Sequence, residues 1–353
     1  MAEQARIYFI HALSPLHAGV GEGLDAINLP TAREQATKYP FLPGSSVKGV
    51  LREAAEATFD REDQRVITAF GPPTERAADA RGGLVFSDAN LLALPVRSHY
   101  GTFAWVTCPY VLRRLARDLA ETGLTGGEDL DQLRDALTDK APDAHYYLAP
   151  PKRSPGAGAQ FESALRAEGT SNMVYLEDLC LAATPSGALG AIAHWLAELL
   201  WPTPGATPGT PTKTQAAALS AQKFFAQRLL LVKDDNFGYL TRTATEVRSR
   251  VRINPDTGTA AASGPWSEEY LPMETLLHGL VLGRRTRYFQ GGRKADDTGR
   301  LAQGVEKTEA QSLTALRELL APGSRLRFGG KSTAGMGRAR LEVVWTATTG
   351  ASS

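Results

Sequence analysis

The run Gly329-Gly330-Lys331-Ser332-Thr333-Ala334-Gly335-Met336-Gly337 constrains this chain more than any other segment, because strand patterns flank it on both sides. Arg325-Leu326-Arg327-Phe328 precedes it, and residues 338–345 follow with Leu341, Val343, Val344 and Trp345. The Gly-Lys-Ser tripeptide has the form of a P-loop, but the spacing fails: the earlier glycine that motif requires falls on Arg325. A helix should follow, and Gly335 and Gly337 disfavour one. Too little chain remains after Gly337 to complete a nucleotide-binding sheet. The pattern therefore predicts a strand, a glycine loop and a returning strand. The loop's bare backbone can lie against a polyanion, with Lys331 adding charge; a tight turn without a ligand fits the local sequence equally.

The rest of the 353 residues interleaves strand and helix patterns, which predicts an α+β fold. Strands are expected at residues 6–13, 84–86 and 91–94, and helices at 47–57, 111–121 and 308–320. Proline- and glycine-rich stretches at 150–158 and 201–211 read as surface loops. Net charge is +1, from 39 basic and 38 acidic residues, so the chain as a whole gives no electrostatic argument for nucleic acid. Any such site must come from local clustering. Cys108 and Cys180 lack partners at metal-ligand spacing and read as two small buried hydrophobes. No stretch reaches signal-peptide or membrane-spanning length, so the expectation is a cytoplasmic protein without a membrane partner. The six histidines form no catalytic or metal-binding pattern; His17, beside the glycines at 19, 21 and 23, is the one set apart.

Two further segments could carry chemistry. Ser45 and Ser46 stand where the first helix is expected to start, and a helix start offers free N–H groups to an anion. Lys48 and Arg52 lie four apart on that helix and could grip two phosphates; an ordinary serine cap with solvated charges is the competing reading. In the stretch 247–253, Arg248, Arg250 and Arg252 alternate with Val247, Val251 and Ile253. On a strand this gives one basic and one apolar face. A turn and a return segment through Trp266, Glu268 and Glu269 complete a hairpin. Its basic face could touch RNA, or could be paired with those glutamates.

Taken in order, these segments resemble a known family. The likeness rests on His17-Ala-Gly-Val-Gly21, on Leu29-Pro-Thr-Ala-Arg33 with Glu34, and on Leu42-Pro-Gly-Ser-Ser-Val-Lys48 running to Arg52. It continues through Phe70-Gly-Pro-Pro73, Pro95-Val-Arg-Ser98, Val106-Thr-Cys-Pro109, Arg252-Ile-Asn254 and residues 266–272, and ends in the late glycine loop. The chain is similar to the RAMP-superfamily backbone subunits of type III-B CRISPR Cmr effector complexes, the fourth Cmr protein. The resemblance implies a ferredoxin-like, RNA-recognition-type palm with a β-hairpin thumb near 247–272. It implies one domain over 1–345, insertions near 121–174 and 181–240, and a flexible tail at 346–353. It also implies binding to CRISPR RNA and target RNA, and assembly with further copies and other Cmr subunits. RNA contact would fall on His17, Gly19, Arg33, Ser45, Ser46, Lys48, Arg52, Arg250, Arg252, Gly329, Gly330, Lys331 and Met336.

The family cuts target RNA with a divalent metal, Mg or Mn, and a loop aspartate two residues before the proline of the segment that ends here in Leu29-Pro30. This chain has Asn28 there. An amide supplies neither the charge that holds a hard cation nor a base near neutral pH. The expectation is a backbone subunit that no longer cuts and needs no metal. The alternative is an active endoribonuclease using Asp25, three residues upstream.

Overall fold

The first strand, β1 (Gln4–Ala12), is buried on both faces, with Ile7, Tyr8, Phe9 and Ile10 all nearly inaccessible. A strand covered on both sides must lie inside its sheet. In this computed structural model, which describes residues 4–19, 21, 27–77, 80–124, 146–148, 163–166, 173–204, 212–260, 264–288 and 305–345, its two neighbours come from the far end of the chain.

The elements that follow are β2 (Phe41–Leu42), α1 (Gly44–Glu56), α2 (Gln64–Phe70), β3 (Leu84–Phe86), β4 (Ala89–Arg97), β5 (Phe103–Thr107) and α3 (Pro109–Thr122). Next come β6 (Tyr146–Leu148), β7 (Met173–Leu176), β8 (Leu179–Pro185), α4 (Gly187–Leu200), α5 (Lys213–Ala226), β9 (Leu229–Leu231) and α6 (Asp234–Thr243). The last are β10 (Glu246–Arg250), β11 (Trp266–Tyr270), β12 (Leu276–Gly283), β13 (Thr286–Tyr288), β14 (Val305–Lys307), α7 (Glu309–Leu319), β15 (Ser324–Arg327) and β16 (Arg338–Val343). The expected strands and helices are all present. Thr308 caps α7 with a reciprocal box, its side chain accepting from Gln311 N–H while the Gln311 side chain takes the Thr308 N–H.

The palm is the run β16-β1-β12-β4, every pair antiparallel. With α1 between β1 and β4, and α7 between β12 and β16, this is the ferredoxin-like order. Tyr8 lies over Gly279, where an added Cβ would strike its ring, and its hydroxyl donates to the Ser87 carbonyl at 2.8 Å. Phe9 stands opposite His278 on the other face, which α3 covers through Asp118, 3.3 Å from the His278 imidazole. Beyond β4 the sheet continues through β5, β9, β6, β8 and β7. At that end it folds back: Ser98 bridges Leu176, and the His99 N–H donates to the Tyr175 carbonyl at 3.1 Å.

Two local expectations are corrected. Helix α1 begins at Gly44, not at the serines. Pro43 is its N-cap, and neither serine hydroxyl caps it. Instead the Gly44 N–H donates to Asp88 Oδ1 at 2.8 Å, and the Phe86 and Ser87 carbonyls leave no room for a Cβ there. Of the cysteines, Cys108 is buried as expected, but Cys180 is exposed because it sits on the outward face of β8. The loop at 150–158, most of that at 201–211, the tail 346–353 and Asp25 lie outside the described residues.

Candidate nucleic-acid interface

Four stretches of chain meet at the root of the β10–β11 hairpin. After β1, Leu16 bridges Leu271, His17 bridges Gly330 and Gly19 bridges Thr31. Residues 28–31 run beside β11: the Leu29 N–H donates to the Ser267 carbonyl, and the Glu269 N–H to the Leu29 carbonyl, each at 3.0 Å. The glycine loop completes the group. Gly330 N–H donates to the His17 carbonyl at 2.9 Å, and Gly337 N–H to the Pro15 carbonyl at 2.8 Å. Gly329 has φ +77°, and a Cβ there would collide with the His17 carbonyl, so this position requires glycine twice over.

His17 is buried, and its Nδ1–H donates to the Glu269 carbonyl at 2.7 Å. Because a carbonyl only accepts, this bond fixes the proton on Nδ1. The ring packs 5.4 Å from Tyr270, with Nε2 directed at the backbone of Gly19.

Glu268 is the electrostatic centre. It is 1% exposed. Lys331 Nζ lies 2.8 Å from Oε1 and Trp266 Nε1–H donates to the same oxygen at 2.7 Å. Arg250 Nε donates to Oε2 at 3.1 Å, and the Tyr270 hydroxyl donates there too. Burial pushes this carboxyl up, but the bonds from Lys331, Tyr270 and Trp266 outweigh it and hold it at about 2. The adjacent Glu269, 3% exposed, accepts from Arg33 Nη2 at 2.5 Å, Thr31 N–H at 3.0 Å and the Thr245 hydroxyl at 2.9 Å. Two buried carboxylates thus bind Lys331, Arg250 and Arg33 to one another and fasten the hairpin to the palm.

The hairpin has the basic and apolar faces that alternation predicts, and the basic one is the more covered. Arg248 and Arg250 occupy the partly covered face, Arg248 over the Tyr270 ring and 3.9 Å from Met336 Sδ. The apolar positions face outward, Val247 and Ile253 both 54% exposed. Pairing with glutamates therefore holds for Arg250 with Glu268, while Arg248 pairs with Glu246 on its own strand. The strand ends at Arg250, leaving Arg252 exposed beyond it.

The α1 residues stand apart from this root. Ser45 is exposed. Lys48 Nζ donates to the Leu84 carbonyl at 3.0 Å, and burial together with Arg52 pulls its pKa down. Arg52 is bound to Glu56 at 2.7 Å and to the Pro72 carbonyl at 3.0 Å. The helix packs against β15, the strand that leads into the glycine loop. Asn28 sits at the mouth of the root, exposed. Its Oδ1 accepts from the Ser267 N–H at 2.8 Å and from the Ser267 hydroxyl at 3.1 Å.

Sequence reasoning missed Trp266 and Tyr270 as partners of Glu268. The signal was available: Trp266, Glu268 and Tyr270 alternate on one face of β11, directly across from Arg250, Arg248 and Glu246.

A palm in ferredoxin-like order with a hairpin rooted on a glycine loop defines the class of fold, and comparison with known proteins gives its family. The family model of the RAMP superfamily matches residues 9–340. The CRISPR system Cmr endoribonuclease Cmr4 of Pyrococcus furiosus is 30% identical over 281 residues, covering 79% of this chain and 81% of that protein. The CMR subunit Cmr4 of Saccharolobus solfataricus is 23% identical, over 80% and 86% of the two chains. Among solved structures, a chain of the type III-B Cmr-beta complex bound to cognate target RNA aligns with TM-score 0.64 at 20% identity, over 96% of each chain. The chain belongs to the RAMP superfamily and, within it, to the Cmr4 family. Among the described residues, no helix is long and apolar enough to cross a membrane.

Proposed function

We propose that the chain is a repeating backbone subunit of a type III-B CRISPR ribonucleoprotein. In this reading it binds CRISPR RNA at the hairpin root and positions complementary target RNA against the β10–β11 thumb, stacked beside further copies of itself and other Cmr subunits. The observation that carries the reading is the meeting of residues 16–19, 28–31, 329–337 and the hairpin around one buried carboxylate. That arrangement fixes the hairpin, with Val247, Val251 and Ile253 exposed along it, beside a bare glycine backbone. The fold shared with a chain of the Cmr-beta complex supports it.

The described residues around Asn28 do not fit a divalent cation such as Mg or Mn. The Asn28 carbonyl oxygen is neutral and already accepts two bonds from Ser267. Glu268 and Glu269 are held by cations and hydroxyls. Among the described residues, no group of three or more His, Cys, Asp or Glu side chains is placed to hold a metal. We therefore read the chain as a binding subunit that does not cut, and no metal-assisted step is derived for it.

The test is to purify the chain with its RNA, image it by electron microscopy, and assay the same sample for target cleavage with Mg and Mn. A helical array of copies on one RNA strand, with the target intact, is expected. An RNA-free monomer overturns the backbone role. Regular cleavage abolished by Asp25→Ala overturns the loss of cutting.

A further inference from the structure

A charge inventory around the hairpin root leads to a different set of residues from the one the sequence suggested. Lys331 and Arg250 share the single carboxylate of Glu268, while Arg33 is paired with Glu269, Arg248 with Glu246 and Arg52 with Glu56. A group whose head is already engaged by a carboxylate contributes less to a passing phosphate than one that has no such partner.

Strands β15 and β16, which flank the glycine loop, carry arginines at alternate positions. Arg327 stands directly across from Arg338, and Arg325 across from Arg340. Directly opposed residues share a face with side chains about 5 Å apart, where like charges repel. The opposite face of the same two strands carries Leu326, Ala339 and Leu341, turned to the core. Arg340 is compensated: it donates to the Glu342 carboxylate at 2.7 Å and to the Leu200 carbonyl at the end of α4. Arg325, Arg327 and Arg338 are exposed and form no ion pair with any described carboxylate. Arg327 reaches the glycine loop, donating to the Ser332 carbonyl at 3.2 Å. The three charges therefore form one patch continuous with the loop.

We propose that Arg325, Arg327 and Arg338 are the principal phosphate-binding charges of this palm, forming a track for the backbone of single-stranded RNA that runs from the glycine loop along β15. This rests on the RNA-binding reading above and names the residues that supply its charge. The free protein tolerates opposed arginines on an open sheet edge because solvent screens them, and a polyanion removes the repulsion. Guanidinium groups suit this task, since their fixed fork matches phosphate oxygens without reading bases.

The experiment uses the full chain and single-stranded RNA of mixed sequence, with affinity measured by fluorescence anisotropy from low to high salt. Each phosphate contact on a single strand contributes about 0.7 to the slope of log affinity against log salt. The triple variant Arg325→Gln, Arg327→Gln, Arg338→Gln is therefore expected to flatten that slope by about 2 and to weaken binding most at low salt. Lys331→Gln, whose head is engaged by Glu268, is expected to change the slope by less than any one of the three. Unchanged affinity and slope in the triple variant, with wild-type protein binding RNA, overturn the proposal and leave the backbone reading standing. Wild-type protein that binds no RNA overturns both. A triple variant that keeps RNA affinity but loses self-association in sedimentation shows the patch to be a protein contact, which also overturns it. Ultraviolet crosslinking of wild-type protein to thiouridine-containing RNA is independent of any variant's folding. Crosslinked peptides should fall within residues 324–338, and their absence there counts against the track.

Discussion

Replacing Glu268 by glutamine is the sharpest perturbation the hairpin root offers. The carboxyl is buried and held at about 2, against an ordinary 4.5. At 1.36 kcal/mol per pH unit, that difference corresponds to about 3 kcal/mol of native-state stability near neutral pH. Because the folded-state value is depressed, the contribution is complete above the unfolded value of 4.5. It is lost as pH falls from there toward 2. Glu268→Gln removes the anion and leaves the Lys331 and Arg250 cations, each about one third exposed, facing a neutral amide. Urea unfolding at pH 7, followed by tryptophan fluorescence, should show a loss of about 3 kcal/mol. The difference from wild type should shrink as pH is lowered from 4.5 toward 2. Pairing the change with Lys331→Met should recover part of the loss, since the two residues share one ion pair. A loss below about 1 kcal/mol, the range of an exposed pair, or a difference that persists unchanged in acid, refutes the assignment of Glu268 as the buried anchor.

Three other outcomes follow from the geometry. Asn28→Asp keeps an oxygen to accept from Ser267 and adds a carboxylate at the exposed mouth, so a guide-loaded assembly of the variant should show more Mn- or Mg-dependent target cleavage than the same assembly of the present chain, read on a denaturing gel. Arg33→Lys loses the fork that joins Glu269 to the Lys38 and Thr241 carbonyls, and should cost about 2 kcal/mol in denaturant titration despite keeping the charge. In native protein Cys180 should react fully with a thiol reagent while Cys108, buried and with its thiol pushed up by desolvation, reacts only after unfolding, as counted by mass spectrometry.

What could be read from the sequence was the part governed by local rules. The terminal strand–loop–strand, the capped α7 and the alternation on β10 are set by residues within a few positions of one another. The sequence did not show that Gly330 donates to the His17 carbonyl, but His17, Gly19 and the 329–337 loop were legible as special positions. The occupants of each charge were not. Nothing within reach of Lys331 in sequence shows that its ammonium will meet Glu268 rather than solvent. Likewise Gly44 opens α1 because Asp88, on a distant turn, takes its N–H. Alternation showed that Arg248 and Arg250 share a face, but only the pairing of β11 decides that this face turns inward. The arginines at 325, 327 and 338 were passed over because they read as ordinary strand positions beside a more conspicuous loop.

The place of β1 has a consequence for how the chain is made. Its partners, β12 and β16, are synthesised only at residues 276–283 and 338–343. At about 5–20 residues per second, the apolar N-terminal segment waits on the order of tens of seconds for them. During translation that segment is an unpaired hydrophobic ribbon, a template for wrong partners. A circular permutant opened in an exposed loop, with the end of β16 linked to the start of β1, would bring those two strands off the ribosome together, and should give a larger soluble yield on chaperone-poor expression.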